Sequence, residues 1–324
     1  MMITNTYPKF VHNLIMNYDD EELHRWLIVR HSTFELSADD ANKFLQIRSH
    51  CTGFNSVDEI AEKSGIDRQN VVEILDALES ANIIQSQQLD SSIPSLLCSA
   101  ASLWRDQLSE TYLPNDLLRE NLCKNVFHGW ILESYHLVKA FPNTLAIAAG
   151  SAQGDLGGIL LNYAEEEWGH EMFYLNCLIK LGYKCDEVES STPLVSTQAI
   201  IQQMEQLVVH KPEAGLLAAT LIEGTDYLSL ESFLARMASR YHLPIDSLQP
   251  LIEHARIDQE LGHHLLADIH RTYFEGIDES NASTILNRLH DIKHAYDVQS
   301  MEIKDYYGKL GNYIPRQAIT CFSI

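Results

Sequence analysis

The sequence is poor in several features that mark common protein classes. Its six cysteines form no CxxC pair, which indicates reduced, buried thiols in a cytosolic protein. Glycine (15) and proline (9) are scarce, and this favours helices over a turn-rich β fold. The longest apolar stretches, such as residues 216–222, are too short to span a bilayer, and no secretory signal opens the chain. We therefore expect a cytoplasmic protein without a membrane anchor.

Basic residues are also scarce. The 324 residues include 23 Lys and Arg against 45 Asp and Glu, a formal net charge of −22. Phosphate contacts need clustered basic side chains, so nucleic acid is not expected as a partner. The same charge argues against binding to an anionic membrane surface.

The first 90 residues predict a small winged-helix-like α+β domain. Residues 25–37 are rich in β-branched and aromatic side chains and predict one or two strands. Ser56 and Glu59 form a capping box, and Gly65 ends the helix that it starts. A second helix begins near Asp67, with an apolar face at Val71, Ile74, Leu75 and Leu78. DNA binding, a common use of this shape, is disfavoured because residues 1–90 hold 7 basic and 15 acidic side chains, a net charge of −8.

The remainder of the chain predicts a helical bundle. Residues 86–97 are polar and contain a proline, and we interpret residues 91–97 as a linker. Helical periodicity then runs through residues 98–310, followed by an irregular tail at 311–324. The predicted fold class is mainly α: a helical bundle preceded by the small domain.

The bundle contains carboxylates and histidines at helical spacing. Glu133 with His136, and Glu167 with His170, are three residues apart, and His254 and Asp258 are four apart. Glu223 follows the apolar stretch LLAATLI, where an isolated ionised carboxylate would be costly to bury. Such side chains, projecting inward from several helices, are typical of bundles that bind two iron ions, although manganese accepts the same ligands.

Helix phase distinguishes two possible ligand sets. At 100° per residue, Asp258 lies about 40° from His254, on a face that also carries Leu251, Ile257, Leu261, Leu265 and Ile269. His254 and Asp258 are therefore expected to point into the core, and Glu260 and His263 away from it. A ferritin-like di-iron bundle would use Glu133, Glu167, His170, Glu223, Glu260 and His263, so it is the second choice.

Local sequence agrees with a ligand set that contains His254 and Asp258. The stretches ESYHLVKAFPNTLAIAAG, NYAEEEWGHEMFYLNCLIKLGY and HARIDQELG resemble helices of the PqqC/TenA-like superfamily, which has the haem oxygenase fold. The resemblance implies a non-haem di-iron oxidase or oxygenase that uses Fe(II) and O₂. It implies catalytic metal ligands at Glu133, Glu167, His170, Glu223, His254 and Asp258. The position of a further histidine in the last motif is Leu261, so the second iron is expected to be labile unless His136 or His128 replaces that ligand.

The N-terminal stretch SVDEIAEKSGI resembles the PqqD-like peptide-recognition domain, a RiPP recognition element, which implies capture of a leader peptide by strand addition. The sequence thus predicts an O₂-dependent non-haem iron enzyme acting on an amino-acid-derived or peptide substrate in natural-product biosynthesis. The alternatives are a metal-free PqqC/TenA-like oxidase or hydrolase, a ferritin-like di-iron protein, and a binding protein with a degenerate metal site. A homodimer is the default assembly.

Overall fold

The computed structural model of the chain describes residues 7–10, 14–18, 24–29, 32–53, 55–81, 83–87, 92–111, 113–223, 227–262, 265–310 and 312–317. The chain forms two compact units, Met1–Glu110 and Thr111–Ile324. Helices dominate both of them, so the predicted mainly α class is confirmed.

Short strands contribute two small sheets to the first unit. They are β1 (Tyr7–Phe10), β2 (Leu14–Tyr18), β3 (His24–Val29), β4 (Ser32–Ser37) and β5 (Ile84–Gln87). β1 pairs with β5, and β2, β3 and β4 form an antiparallel sheet with β3 in the centre. The strands predicted within residues 25–37 are confirmed as β3 and β4, whereas β1, β2 and β5 were not predicted.

Helices cover the core of the first unit. They are α1 (Ala38–Arg48), α2 (Val57–Ser64), α3 (Arg68–Ser80) and α4 (Ile93–Thr111). The predicted capping box of α2 is confirmed, with Ser56 accepting from the Glu59 N–H and Glu59 accepting from the Ser56 N–H. Gly65 ends α2 in the left-handed backbone conformation (φ 71°), which residues other than glycine rarely adopt. The core is formed by apolar side chains that include Leu27, Phe44, Ile47, Ile60, Val71 and Leu75.

The boundary between the units differs in position from the predicted one. Residues 93–97, which the sequence assigned to a linker, form the first turns of α4, and the first unit extends to Glu110. The assignment of residues 1–90 to a recognition domain and 98–310 to a bundle stays a prediction.

The second unit is a bundle of helices. They are α5 (Leu113–Arg119), α6 (Lys124–Ser151), α7 (Leu156–Glu167), α8 (Glu171–Lys180), α9 (Cys185–Glu189), α10 (Val195–His210), α11 (Ala214–Ile222), α12 (Tyr227–Tyr241), α13 (Gln249–Leu261), α14 (Leu266–Ile269) and α15 (Glu279–Ile303). α6 is buried on all sides over residues 126–137, because α7, α8 and α10 pack around it. α13 packs against α8, and α15 against α10.

Part of the chain beyond α15 is attached to the bundle. α15 continues into a π-helical turn, Lys304–Lys309. Beyond it, the backbone N–H of Thr192 donates to the carbonyl of Arg316, and Ser191 bridges to Gln317. Residues 312–317 are therefore attached to the chain after α9, while residues 318–324 of the predicted tail lie outside the described part of the chain.

Two sequence-based expectations concern the surface. Among the described cysteines, Cys51, Cys98 and Cys177 are buried free thiols, but Cys123 and Cys185 are exposed, so the expectation that all are buried is wrong. Cys123 directly precedes α6 and Cys185 begins α9, and both positions face water. Within the described ranges, no helix is both long enough and apolar enough to cross a membrane.

Candidate metal centre

A break between two helices brings Glu167 and His170 together. The sequence predicted both on one helix, but α7 ends at Glu167 and α8 begins after His170. Gly169 lies between them at φ +93°, a conformation that glycine adopts at little cost. The turn nevertheless places His170 Nδ1 3.2 Å from Glu167 Oε2. The predicted pairing is therefore present, formed by a turn instead of a continuous helix.

His170 lies between two carboxylates. Its Nδ1 is 3.3 Å from Asp258 Oδ1 as well as 3.2 Å from Glu167 Oε2. Burial lowers the pKa of His170, but Asp258 and Glu167 outweigh burial and raise that pKa to about 10. The two carboxylates therefore favour the charged form of this imidazole.

α13 supplies one carboxylate and a second imidazole. His254 is buried, and its Nδ1 lies 3.3 Å from Asp258 Oδ2. The rings of His254 and His170 are 5.0 Å apart and nearly perpendicular. The predicted inward direction of His254 and Asp258 is confirmed, since their spacing of four residues places them on one face of α13.

Glu223 completes the group of acids. It follows the last residue of α11 in an extended conformation, and Tyr163 Oη lies 3.5 Å from its Oε1. Burial and the negative charges of Glu167 and Asp258 raise the pKa of Glu223 well above its usual range. Five of the six predicted site residues are thus neighbours: Glu167, His170, Glu223, His254 and Asp258.

Aromatic rings surround this group. Phe173 and Tyr174, both on α8, lie 5.5 Å and 5.2 Å from the ring of His254. Phe141 on α6 contacts Tyr163 edge-on at 5.6 Å. Phe141 and Phe173 were not identified from the sequence, although Phe173 lies one helical turn after His170.

The residues fit a divalent cation. One ligand atom from each of His170, His254 and Asp258 can be chosen so that all three lie within 4.8 Å of one another. Asp258 Oδ1 and His170 Nδ1 are buried 3.3 Å apart, and within the described part of the chain neither has a hydrogen-bond partner of normal geometry. Carboxylate oxygens with some imidazole nitrogen are the ligands that iron and manganese prefer. We therefore interpret this group as a candidate metal centre.

The structure does not bring Glu133 into this group. Its carboxylate is fully buried on α6, where Oε1 accepts from Tyr307 Oη at 2.7 Å and Oε2 accepts from the Leu194 N–H at 3.0 Å. Thr197 is a further hydrogen-bond partner. Leu194 directly precedes α10, so this acid binds at the start of that helix, where the helix dipole favours negative charge.

The two histidines considered as replacement ligands also have other partners. His128 Nδ1 lies 2.7 Å from Tyr183 Oη, and His136 Nε2 lies 3.0 Å from Ser191 Oγ. Both rings are buried, and none of their described contacts is with the candidate centre. The structure gives no support for either of them as a substitute for the missing ligand at Leu261.

The predicted apolar face of α13 does not continue past Asp258. Leu251 is buried, but Leu261, Leu265 and Ile269 are 44%, 45% and 64% exposed, so their prediction as core residues is wrong. For Leu265 and Ile269 the reason is that α13 ends at Leu261 and Gly262 takes the left-handed conformation (φ 71°), after which the helical phase no longer applies. Leu261 is the last residue of the helix. Glu260 is exposed and paired with Arg256, so it points away from the core as helix phase predicted. The ferritin-like alternative would have used it as a metal ligand. His263 lies outside the described residues.

Comparison with known proteins bears on the fold and family of this region. Residues 128–276, which hold the candidate centre, match the family model of an iron-containing redox enzyme. A solved protein of Shewanella denitrificans OS217, described as a domain of unknown function with a haem oxygenase-like fold, is 19% identical, with a TM-score of 0.55 over 69% of this chain and 97% of that one. A TenA homologue from P. horikoshii OT3 is 15% identical, with a TM-score of 0.45 over 65% and 98% of the two chains. No curated protein matches. The family match and the first of these two structures confirm the predicted haem oxygenase-like fold.

Proposed function

We propose that this chain is an O₂-dependent non-haem iron oxidoreductase that acts on an amino-acid-derived or peptide substrate in natural-product biosynthesis. The observation that carries the proposal is the group of two imidazoles and three carboxylates that α7, the turn before α8, the residue after α11 and α13 bring together. Glu167, His170 and His254 of this group are buried. The match of residues 128–276 to a family of iron-containing redox enzymes supports it.

The side chains of the group divide into two sets. His170, His254 and Asp258 lie close enough to hold one ion between them. Glu167 and Glu223 supply further carboxylates next to that ion, and we assign to them a second, more weakly held iron. Fewer imidazoles at the second position agree with weaker binding, since nitrogen ligands contribute much of the affinity for iron.

The protein's own groups have defined tasks in this proposal. Bound iron would supply the reduction of O₂. The proton that His170 holds between two acids would leave when a cation takes its place, because a metal ligand must be deprotonated. Phe141, Phe173 and Tyr174 would exclude water from the reacting groups.

Anaerobic loading with Fe(II), followed by elemental analysis and O₂ uptake, tests the proposal. We expect about two iron ions per chain under saturating Fe(II) and about one after gel filtration, with O₂ consumption by the loaded protein. Asp258→Asn should retain less than about a tenth of the iron, because it removes the carboxylate that lies next to both histidines and would bind the ion with them. Glu260→Gln, on the same helix but exposed, should behave as wild type. A wild-type protein that retains no iron would contradict the proposal and favour the metal-free alternative.

The peptide part of the proposal concerns the first unit. Among the described residues, β2 pairs with β3 on one side and with no strand on the other. This open edge of β2 is therefore a candidate site for an added peptide strand. Hydrogen–deuterium exchange of the full chain, with and without a candidate precursor peptide, tests this. We expect slower exchange across residues 14–18 when the peptide binds. Binding that leaves those amides unchanged would be evidence against strand addition at β2.

A further inference from the structure

Tyr163 links three helices at the candidate centre. It lies on α7 four residues before Glu167, so both side chains point from the same face of the helix. Its ring contacts Phe141 of α6, and its hydroxyl lies 3.5 Å from Oε1 of Glu223, next to the end of α11. The Tyr163 side chain is almost completely buried, so its position is set by packing.

Glu223 depends on such support more than the other acids of the group. Glu167 and Asp258 are both residues of helices, whereas Glu223 lies after the end of α11 at φ −87° and ψ 164°. Its backbone N–H still donates to the Ala219 carbonyl, which fixes the main chain but not the carboxylate. The contact with Tyr163, at 3.5 Å, is long for a hydrogen bond.

We infer that Tyr163 is a positioning residue, whose hydroxyl donates to one oxygen of Glu223 and directs the other oxygen towards the metal. The inference rests on the proposed function, since it assigns a role at the same site. A ligating carboxylate needs a hydrogen-bond partner to fix its orientation, and loss of such a partner typically costs 10- to 100-fold in metal affinity. The ring of Tyr163 is expected to have no direct role.

The matched control is a second buried tyrosine–glutamate pair in the same unit. Tyr307 donates to Glu133 at 2.7 Å, and this pair lies apart from the candidate centre. Tyr163→Phe and Tyr307→Phe each remove one buried hydroxyl that faces a glutamate, while the ring that fills the core remains. A thermal melt of both variants checks that each is folded.

Titration with Co(II), an air-stable substitute for Fe(II), tests the inference by calorimetry and by the visible spectrum of the bound ion. We expect Tyr163→Phe to bind Co(II) about 10- to 100-fold more weakly and with a changed spectrum, and Tyr307→Phe to stay within about threefold of wild type. Adding Tyr163→Phe to Glu223→Gln should weaken binding no further, because the tyrosine acts through that acid.

The outcomes separate the inference from the proposed function. If wild type and Tyr163→Phe bind Co(II) equally and with the same spectrum, the positioning role is overturned while the metal site stands. If the two substitutions weaken binding additively, Tyr163 acts by a route other than Glu223 and the inference is again overturned. If wild-type protein binds neither Co(II) nor Fe(II), both the inference and the proposed function fail.

Discussion

Replacing Glu223 with glutamine is expected to raise the melting temperature of the metal-free protein and to lower its affinity for Fe(II) by at least about 100-fold. The first effect follows from the raised pKa of Glu223, which burial and the charges of Glu167 and Asp258 produce. An acid whose pKa is higher in the folded than in the unfolded state costs stability at every pH above its unfolded pKa. Glutamine removes that cost and keeps the shape of the side chain.

Melting temperatures of metal-free wild type and Glu223→Gln, measured from pH 4 to pH 7, check this prediction. We expect a gain of about 1 kcal/mol at pH 7, or roughly 2–4 °C, which disappears towards pH 4 where the acid is protonated in both states. Glu231→Gln, an exposed change on α12, should shift the melting temperature by much less. A lower melting temperature for Glu223→Gln would contradict the predicted cost of burying this acid. Undiminished Fe(II) binding would show that the acid is not part of a metal centre.

The second large effect is a loss of stability in acid caused by two buried histidines. Burial, with a smaller effect of Lys124, lowers the pKa of His128 to about 4, and burial, Lys139 and Arg316 lower that of His136 to about 4. The unfolded chain binds protons at these side chains from about pH 6.5 downwards, while the folded chain does not. Their contribution to the free energy of unfolding is therefore complete above pH 6.5. It is lost as the pH falls towards 4, and the loss is roughly 3 kcal/mol for each histidine.

Urea denaturation of metal-free protein at several pH values between 4 and 7 measures this loss. The double variant His128→Asn, His136→Gln keeps a polar atom near Tyr183 and Ser191 but cannot be protonated, so its stability should fall less steeply with pH. His294→Gln, which alters an exposed histidine of α15, should retain the wild-type slope. Equal slopes for the double variant and wild type would contradict the prediction.

Helical spacing predicted which side chains share a face where the helix is continuous. His254 and Asp258 are four residues apart within α13, and their shared direction was correct. The same reasoning failed beyond Gly262, because a left-handed residue ends the helix and resets the phase. For Glu167 and His170 the pairing was correct but the helix was not, since Gly169 forms a turn that brings the two side chains together by another route.

The features that could not be predicted depend on contacts between residues that are far apart in the chain. Burial of Glu133 followed from its apolar helix, but its partners are 61 and 174 residues away, at Leu194 and Tyr307. Whether a buried acid binds a metal or accepts from protein donors depends on those partners, and spacing along the chain does not contain that information. β1 was missed for a related reason, because this strand of four residues is recognisable only through its pairing with β5.

The pairing of Tyr307 with Glu133 also restricts which substitutions the bundle tolerates. Gly129 lies one turn before Glu133 on α6, and a Cβ atom added there would come within 2.3 Å of the Tyr307 ring. Positions 129 and 307 are therefore coupled in sequence space: a larger residue at the first requires a smaller one at the second. A smaller residue at 307 would leave Glu133 without its phenol donor. A change at position 129 would therefore affect the hydrogen bonding of the Glu133 carboxyl, although position 129 does not contact it. In a set of related sequences, these three positions should vary together or not at all.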